Sequence, residues 1–204
     1  MVDDLLAGHV RFRTGFVARE HEYLAELAAR GQQPAALFIG CSDSRVIPEL
    51  LTDAGPGQLF VVRNIANRVP VASEGDRSVG AAIEFAIREL GVGDIIVCGH
   101  DGCGGVKAAL DGPGERDPDS DLGVWLAGLG PLVARARRSN LDPDVQLVRA
   151  VEDNVLAGLV VLDEAWIRPR GSRAVRLHGW VYDMGLAALR CYDDASGRFV
   201  PLPT

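Results

Sequence analysis

An α/β fold on a parallel sheet is the class this sequence predicts, and three observations predict it. Strand-length apolar runs at 35–39, 58–63 and 94–99 alternate with segments of helical periodicity. Those runs are apolar almost throughout, as strands buried on both faces of a sheet are. Near the C-terminus, 187–192 and 198–200 flank the turn residues DDASG, the pattern of an antiparallel hairpin added at one edge. The expected order is β-α-β-α-β-α-α-β, one domain over 1–204, with a helical arm (1–33) ahead of an α/β core (34–204).

Each element has its own warrant. Residues 3–30 read as helix, with Leu5, Leu6, Val10 and Phe12 on one face, and Phe16, Tyr23, Leu24 and Leu27 continuing after Gly15. Gly31 and Pro34 stop it. Such an amphipathic arm packs either on its own domain or on a neighbouring subunit. The first strand, 35–40, ends at Gly40, and a short helix over 46–54 contains Pro48 and stops at the GPG of 55–57. Strand 58–63 leads through the loop 64–70 to a helix over 79–90, capped by Ser78 and ended by Gly91. Strand 94–99 runs into a glycine-rich turn, and Val106 to Leu110 begins another helix. The acidic, Gly- and Pro-containing stretch 111–121 is a surface loop. Helices follow at 122–138 and 143–166, the second opened by an Asp-Pro-Asp cap, before the strand 174–182.

Composition narrows the function classes. With 204 residues, 48% hydrophobic and 24% charged, the chain has the profile of a soluble protein with a sizeable core. A net charge of −7 argues against a nucleic-acid surface and against an anionic membrane. The start, MVDDLLAGHVRF, carries two acids and no continuous apolar core, so it does not read as a secretory signal. No apolar run approaches the ~20 residues of a membrane span. Four scattered cysteines do not make a disulfide scaffold, and reduced thiols in a cytoplasm are the expectation.

The chemistry concentrates in two places. LFIGCSDSRVIP, from Leu37 to Pro48, ends a strand and sets Cys41, Asp43 and Arg45 at alternate positions, on one side if the chain stays extended. GHDGCGG ends another parallel strand and supplies His100 and Cys103 with two residues between them. Both strands deliver these groups at the same sheet edge, where open α/β folds place ligands. Cys41, His100 and Cys103 form a Cys₂His set, which leaves one position of a tetrahedral metal open, as catalytic zinc requires. Softness of the ligands puts zinc first, with cobalt or iron as substitutes. The glycines at 99, 102, 104 and 105 let the turn bring His100 and Cys103 to one ion.

Simpler explanations exist for each part. Cys41 alone reads as a small buried hydrophobe, and so do Cys98 and Cys191. A cysteine phosphatase would want an arginine where Ile47 stands. The glycine-rich turn could cradle a phosphate, although its spacing is not the dinucleotide pattern. His9, His21 and His178 are isolated. The combination, rather than any single part, carries the metal reading.

CSDSRV, FVVRNIAN, GHDGCGG and LHGWVYD, in that order and spacing, resemble the β-class carbonic anhydrases over most of the chain. The resemblance implies a four-stranded parallel sheet flanked by helices, with an added antiparallel edge strand and an N-terminal helical arm. It implies one Zn²⁺ per subunit on Cys41, His100 and Cys103, with Asp43 and Arg45 as the catalytic pair. It implies reversible hydration of carbon dioxide to bicarbonate and a proton by zinc-bound hydroxide, with two thiolates favouring activity on the alkaline side. Carbonyl sulfide or carbon disulfide hydrolysis on the same site, or a non-catalytic zinc module, are the alternatives. Gln32, supplied by a neighbouring chain, matches a pocket residue, as do Phe60, Ile65, Phe85 and the backbone N–H of Gly104. Dimers or dimer-based oligomers are implied, with no nucleic acid and no membrane as partners. Two positions depart from the family pattern. Asp101 stands where many members have Ser or Thr. Phe38 stands where bicarbonate-inhibited members carry a Trp beside an arginine matched here by Arg63, which places the chain with the non-allosteric group.

Overall fold

The computed structural model describes residues 1–71, 77–112, 117–168 and 175–202. Its centre is one six-stranded sheet of β1 (Ala36–Cys41), β2 (Leu59–Asn64), β3 (Asp94–His100), β4 (Arg176–Asp183), β5 (Ala188–Asp193) and β6 (Arg198–Pro201). The order across the sheet is β2-β1-β3-β4-β5-β6. The first four strands are mutually parallel, and β5 and β6 are antiparallel. The added edge is the two-stranded hairpin that the DDASG turn predicts, one strand more than the resemblance alone implies.

Strand order reverses between β1 and β3, which are neighbours although β2 lies between them in sequence. This is the switch point at which loops leave neighbouring strands in opposite directions and open a crevice. Register aligns Cys41 with Asn64, Gly40 with Cys98, and His100 with Tyr182. The C-terminal ends of the three central strands thus finish close to one level.

The helices are α1 (Val2–Phe12), α2 (His21–Arg30), α3 (Pro48–Thr52), α4 (Arg77–Phe85), α5 (Gly104–Asp111), α6 (Asp121–Ala127), α7 (Gly130–Arg137) and α8 (Pro143–Val161). Wider π-type turns extend α1, α4 and α8, over Arg13–Val17, Ala86–Leu90 and Leu162–Ile167. Helix α8 begins at the expected Asp142 cap, whose carboxylate accepts from the Asp144 N–H at 3.0 Å. Helix α4 is described from Arg77, so Ser78 lies inside it instead of preceding it. The helix expected over 122–138 is two helices. It breaks at Gly128, where a Cβ would collide with the Arg68 guanidinium, and α7 restarts with Pro131 in its first turn. Of the loop expected over 111–121, residues 113–116 lie outside the described residues, as does Ala174 of the expected fourth strand.

Alternation along β1 divides the core. Leu37, Ile39 and Cys41 join Ile95, Val97, Val151 and Val155 in the larger cluster, under the helices. Ala36 and Phe38 face the smaller cluster, where Phe38 meets Trp180 edge-on at 6.3 Å. Each fully buried Leu, Ile or Phe contributes roughly 1.5–3 kcal/mol, so β1, buried throughout, and β3, buried from Ile95 to His100, form a rigid base for their terminal loops. Helix α8 approaches β3 closely at Gly99, where a Cβ would sit 2.9 Å from both Val151 Cγ1 and Val155 Cγ2. The arm is different: no residue of α1 or α2 is buried. Helix α2 touches the core through Tyr23, whose hydroxyl donates to the Pro56 carbonyl at 2.6 Å. On α1, Leu5 and Leu6 remain 71% and 63% exposed. No described helix is long and apolar enough to cross a membrane.

Candidate metal centre

Strand β1 ends on Cys41, strand β3 ends on His100, and Cys103 precedes the first residue of α5. The three ligand atoms all lie within 4.8 Å of one another, and all three residues are buried. The two sulfurs are 3.9 Å apart. Nε2 of His100 is buried without a hydrogen-bond partner, while Nδ1 lies 3.1 Å from the Asp101 carbonyl. Two thiols and an unsatisfied imidazole nitrogen converging on one buried point are a donor set suited to a borderline-soft cation.

The turn between His100 and Cys103 uses its glycines unequally. Only Gly102 has positive φ, +66°. Gly105 is needed for space, since a Cβ there would meet Ile65 Cγ2 at 2.8 Å and the Ala66 nitrogen at 3.1 Å. Gly104 meets neither condition. It opens α5, so its N–H is among those free at a helix start.

Electrostatics favour negative charge on sulfur. The Cys41 thiol is pulled well below its ordinary range, chiefly by a hydrogen bond from Cys103 and further by the N–H groups of Asp43 and Ala66, against the opposing effect of burial. Cys103 moves the other way, because in the metal-free pair it keeps the shared proton and is buried. N–H groups at the start of α5, from Gly105 and Val106, partly offset that rise.

Asp43 and Arg45 meet by a different route from the expected alternation. The chain leaves the strand after Cys41 and turns, with the Val46 N–H donating to the Asp43 carbonyl at 3.0 Å. Within that turn Asp43 Oδ1 accepts from the Arg45 N–H at 3.0 Å and from Nε at 2.9 Å, while Oδ2 accepts from Nη2 at 2.7 Å. The Arg45 fork holds the Asp43 carboxyl well below the usual carboxylate range. Oδ2 stands 3.9 Å from His100 Nε2, which puts an ionised carboxylate against the ligand set.

A family model described as "Carbonic anhydrase" matches residues 36–189. The carbonic anhydrase of Pseudomonas aeruginosa is 40% identical, over 98% of this chain and 91% of its own length. The solved β-carbonic anhydrase CcaA superposes with a TM-score of 0.92 at 32% identity, covering 100% of this chain and 92% of that one. The chain belongs to the β-class of carbonic anhydrases. One of two tetrameric β-carbonic anhydrases from Sordaria macrospora is also similar, at 30% identity and a TM-score of 0.81 over 93% of this chain and 95% of that one.

The other residues predicted for this carbonic anhydrase's site are spread more widely. Ile65 is partly exposed and adjoins Gly105, two residues from Cys103. Phe60 and Phe85 pair with each other, ring centroids 5.9 Å apart. Phe60 is four positions before the end of β2, roughly 13 Å along the strand. Gln32 is exposed beyond the C-terminal end of α2.

Several supporting groups have little signal in the sequence. Arg63 donates to the carbonyls of Cys41 and Asp43, at 2.9 and 2.6 Å, and so clamps the loop that carries both side chains. Ala66 and Asn67 both adopt positive φ, +64° and +44°, in the loop facing Cys41. Asn154 of α8 donates to the Ala66 carbonyl at 2.7 Å, and Trp125 of α6 donates to that of Ile65 at 2.9 Å. A buried Asn in a long apolar helix was the one available clue.

Proposed function

We propose that Cys41, His100 and Cys103 hold one Zn²⁺ per chain and that the enzyme catalyses reversible hydration of carbon dioxide to bicarbonate and a proton. The observation that carries this is the convergence of three buried ligand atoms within 4.8 Å, with Nε2 of His100 unpartnered. A set of two thiolates and one imidazole is zinc chemistry and leaves one coordination position for a reactant. Zinc in such a site supplies Lewis acidity that makes a hydroxide nucleophile available near neutral pH.

The chain's own residues do the rest. Asp43 stays ionised because Arg45 grips it, so it accepts a hydrogen bond from the reacting water rather than taking its proton. An acceptor fixed at that point orients the water oxygen towards the substrate carbon. Ile65, beside the turn, supplies an apolar wall for carbon dioxide, and the N–H of Gly104 at the start of α5 is placed to hold an anionic oxygen. Structural zinc needs neither Asp43 nor Arg45, and their paired arrangement favours catalysis over a purely structural metal.

Gln32, Phe60 and Phe85 complete the pocket in a dimer or dimer-based oligomer, Gln32 coming from the neighbouring chain. The bare apolar face of α1 supports such an assembly, as does similarity to proteins described as tetrameric. Four free cysteines, two of them 3.9 Å apart, suit a reducing cytoplasm.

Stopped-flow measurement of carbon dioxide hydration, with and without zinc chelation and beside carbonyl sulfide and carbon disulfide, tests the proposal. Chelator-sensitive hydration that exceeds turnover of the sulfur compounds is expected. Zinc-independent turnover, or preference for a sulfur substrate, would contradict it.

A further inference from the structure

Asp101 follows His100 directly and takes no part in the reaction proposed above, yet it is anchored at three points. Its N–H donates to the Tyr182 carbonyl on β4 at 2.9 Å. Its carboxylate accepts from Nη1 and Nη2 of Arg190 at 3.1 and 2.9 Å. Its carbonyl lies 3.1 Å from Nδ1 of His100. A carbonyl has no proton to give, so Nδ1 must be the donor. In the neutral ring, Nε2, buried and unpartnered, is then the nitrogen with a free lone pair, and it faces the two sulfurs.

Arg190 reaches this point from β5, outside the parallel core. Its side chain is 22% exposed, and Nη2 also lies 3.6 Å from Glu152 of α8. A two-pronged pair this far from solvent fixes the rotation of a carboxylate, which a flexible surface pair does not. With the Asp101 N–H already tied to β4, the fork leaves the peptide that faces Nδ1 little freedom.

We propose that Arg190 is a positioning residue for the metal centre. By gripping Asp101 it fixes the carbonyl that keeps His100 in the tautomer with Nε2 free for zinc. The inference rests on the ligand set proposed above, and Arg190 itself touches neither ligand atoms nor substrate. Partners that orient a metal-bound histidine change metal affinity by about 10- to 100-fold when lost. Arg190 acts one step further out, so the lower end of that range applies.

The test uses the zinc-loaded protein and its Arg190→Met and Arg190→Lys variants. Chelator competition should show zinc bound about tenfold more weakly in Arg190→Met, with part of the loss recovered in Arg190→Lys, which keeps the charge without the fork. A role limited to docking β5 would lower the melting temperature and leave zinc affinity unmoved. In the wild type, long-range ¹H–¹⁵N correlation should place the His100 proton on Nδ1, a readout that needs no variant to fold. A proton on Nε2, or an affinity within about twofold of wild type in folded Arg190→Met, overturns the inference while leaving the ligand set standing. A wild type that binds no zinc removes the ligand set and this inference together.

Discussion

The sulfurs of Cys41 and Cys103, 62 residues apart in sequence, stand 3.9 Å apart with neither bonded to the other. A disulfide would need about 2.05 Å. The pair is held at a spacing a shared cation can bridge, and two sheet-edge loops rather than a covalent link set that spacing.

In the metal-free protein this proximity splits the two thiols. Cys41 is pushed down by its hydrogen bond from Cys103, and Cys103 is pushed up. Burial pushes Cys98 up to about 12 and raises Cys191 as well. Thiolate absorbance near 240 nm should therefore show about one thiolate per chain at pH 7, where an ordinary thiol at about 8.5 would show little. A Cys41→Ser variant should lose it. No thiolate signal below pH 8 would refute the splitting.

Arg45 holds Asp43 by a fork that Lys cannot reproduce. Arg45→Ala should lower kcat by about 100-fold, the scale of a lost positioning contact, and Arg45→Lys should fall in between. Freed from Arg45, the Asp43 carboxylate is close enough to the ligand cluster to join it as a further ligand. A zinc-loaded Arg45→Ala crystal structure checks this, and Asp43 still turned away from the ligand cluster would count against it.

Gly105 is where α5 meets the loop bearing Ile65 and Ala66. The Cβ of Gly105→Ala would stand 2.8 Å from Ile65 Cγ2 and 3.0 Å from the Ala66 Cβ. Overpacking of this kind costs about 1–3 kcal/mol, and relief would displace Cys103. Both melting temperature and zinc affinity should drop. Gly104→Ala, with open space around it, should leave the melting temperature near that of the wild type.

At the other end of β3, Asp94 receives a fork from Arg176, at 2.8 and 2.7 Å, and lies 2.7 Å from His178 Nε2. Arg176 first, then His178, bring its carboxyl down to about 2. A folded value below the unfolded ~3.9 means the pair stabilises fully above about pH 4 and loses that contribution as pH falls through about 2. Unfolding of wild type and Asp94→Asn should differ at pH 5 and converge near pH 2. A difference that grows on acidification would contradict the assignment.

The cluster of Cys41, His100 and Cys103 was legible in the sequence because its chemistry depends on residue type: cysteine and histidine are few, and Cys41 and His100 each close an apolar run. The parallel core was legible for the same reason. What escaped depends on close approach in three dimensions. The need for glycine at 128 comes from the guanidinium of Arg68, 60 residues earlier, although Pro131 was a local hint of the break. The positive φ of Ala66 has no residue-type signal at all, since alanine does not favour it. Asp43 and Arg45 pair through a turn, where the sequence suggested an extended chain. Asp101, a departure from the family pattern in sequence, finds its partner Arg190 only through the antiparallel edge.

The proposed chemistry requires two thiolates and one imidazole to share a single ion. X-ray absorption at the zinc edge of the purified, zinc-loaded protein measures this directly. Two sulfurs and one imidazole nitrogen in the zinc shell, with one sulfur missing in Cys103→Ser, is the predicted result. A shell of nitrogen and oxygen alone, or one unchanged in Cys103→Ser, would contradict it.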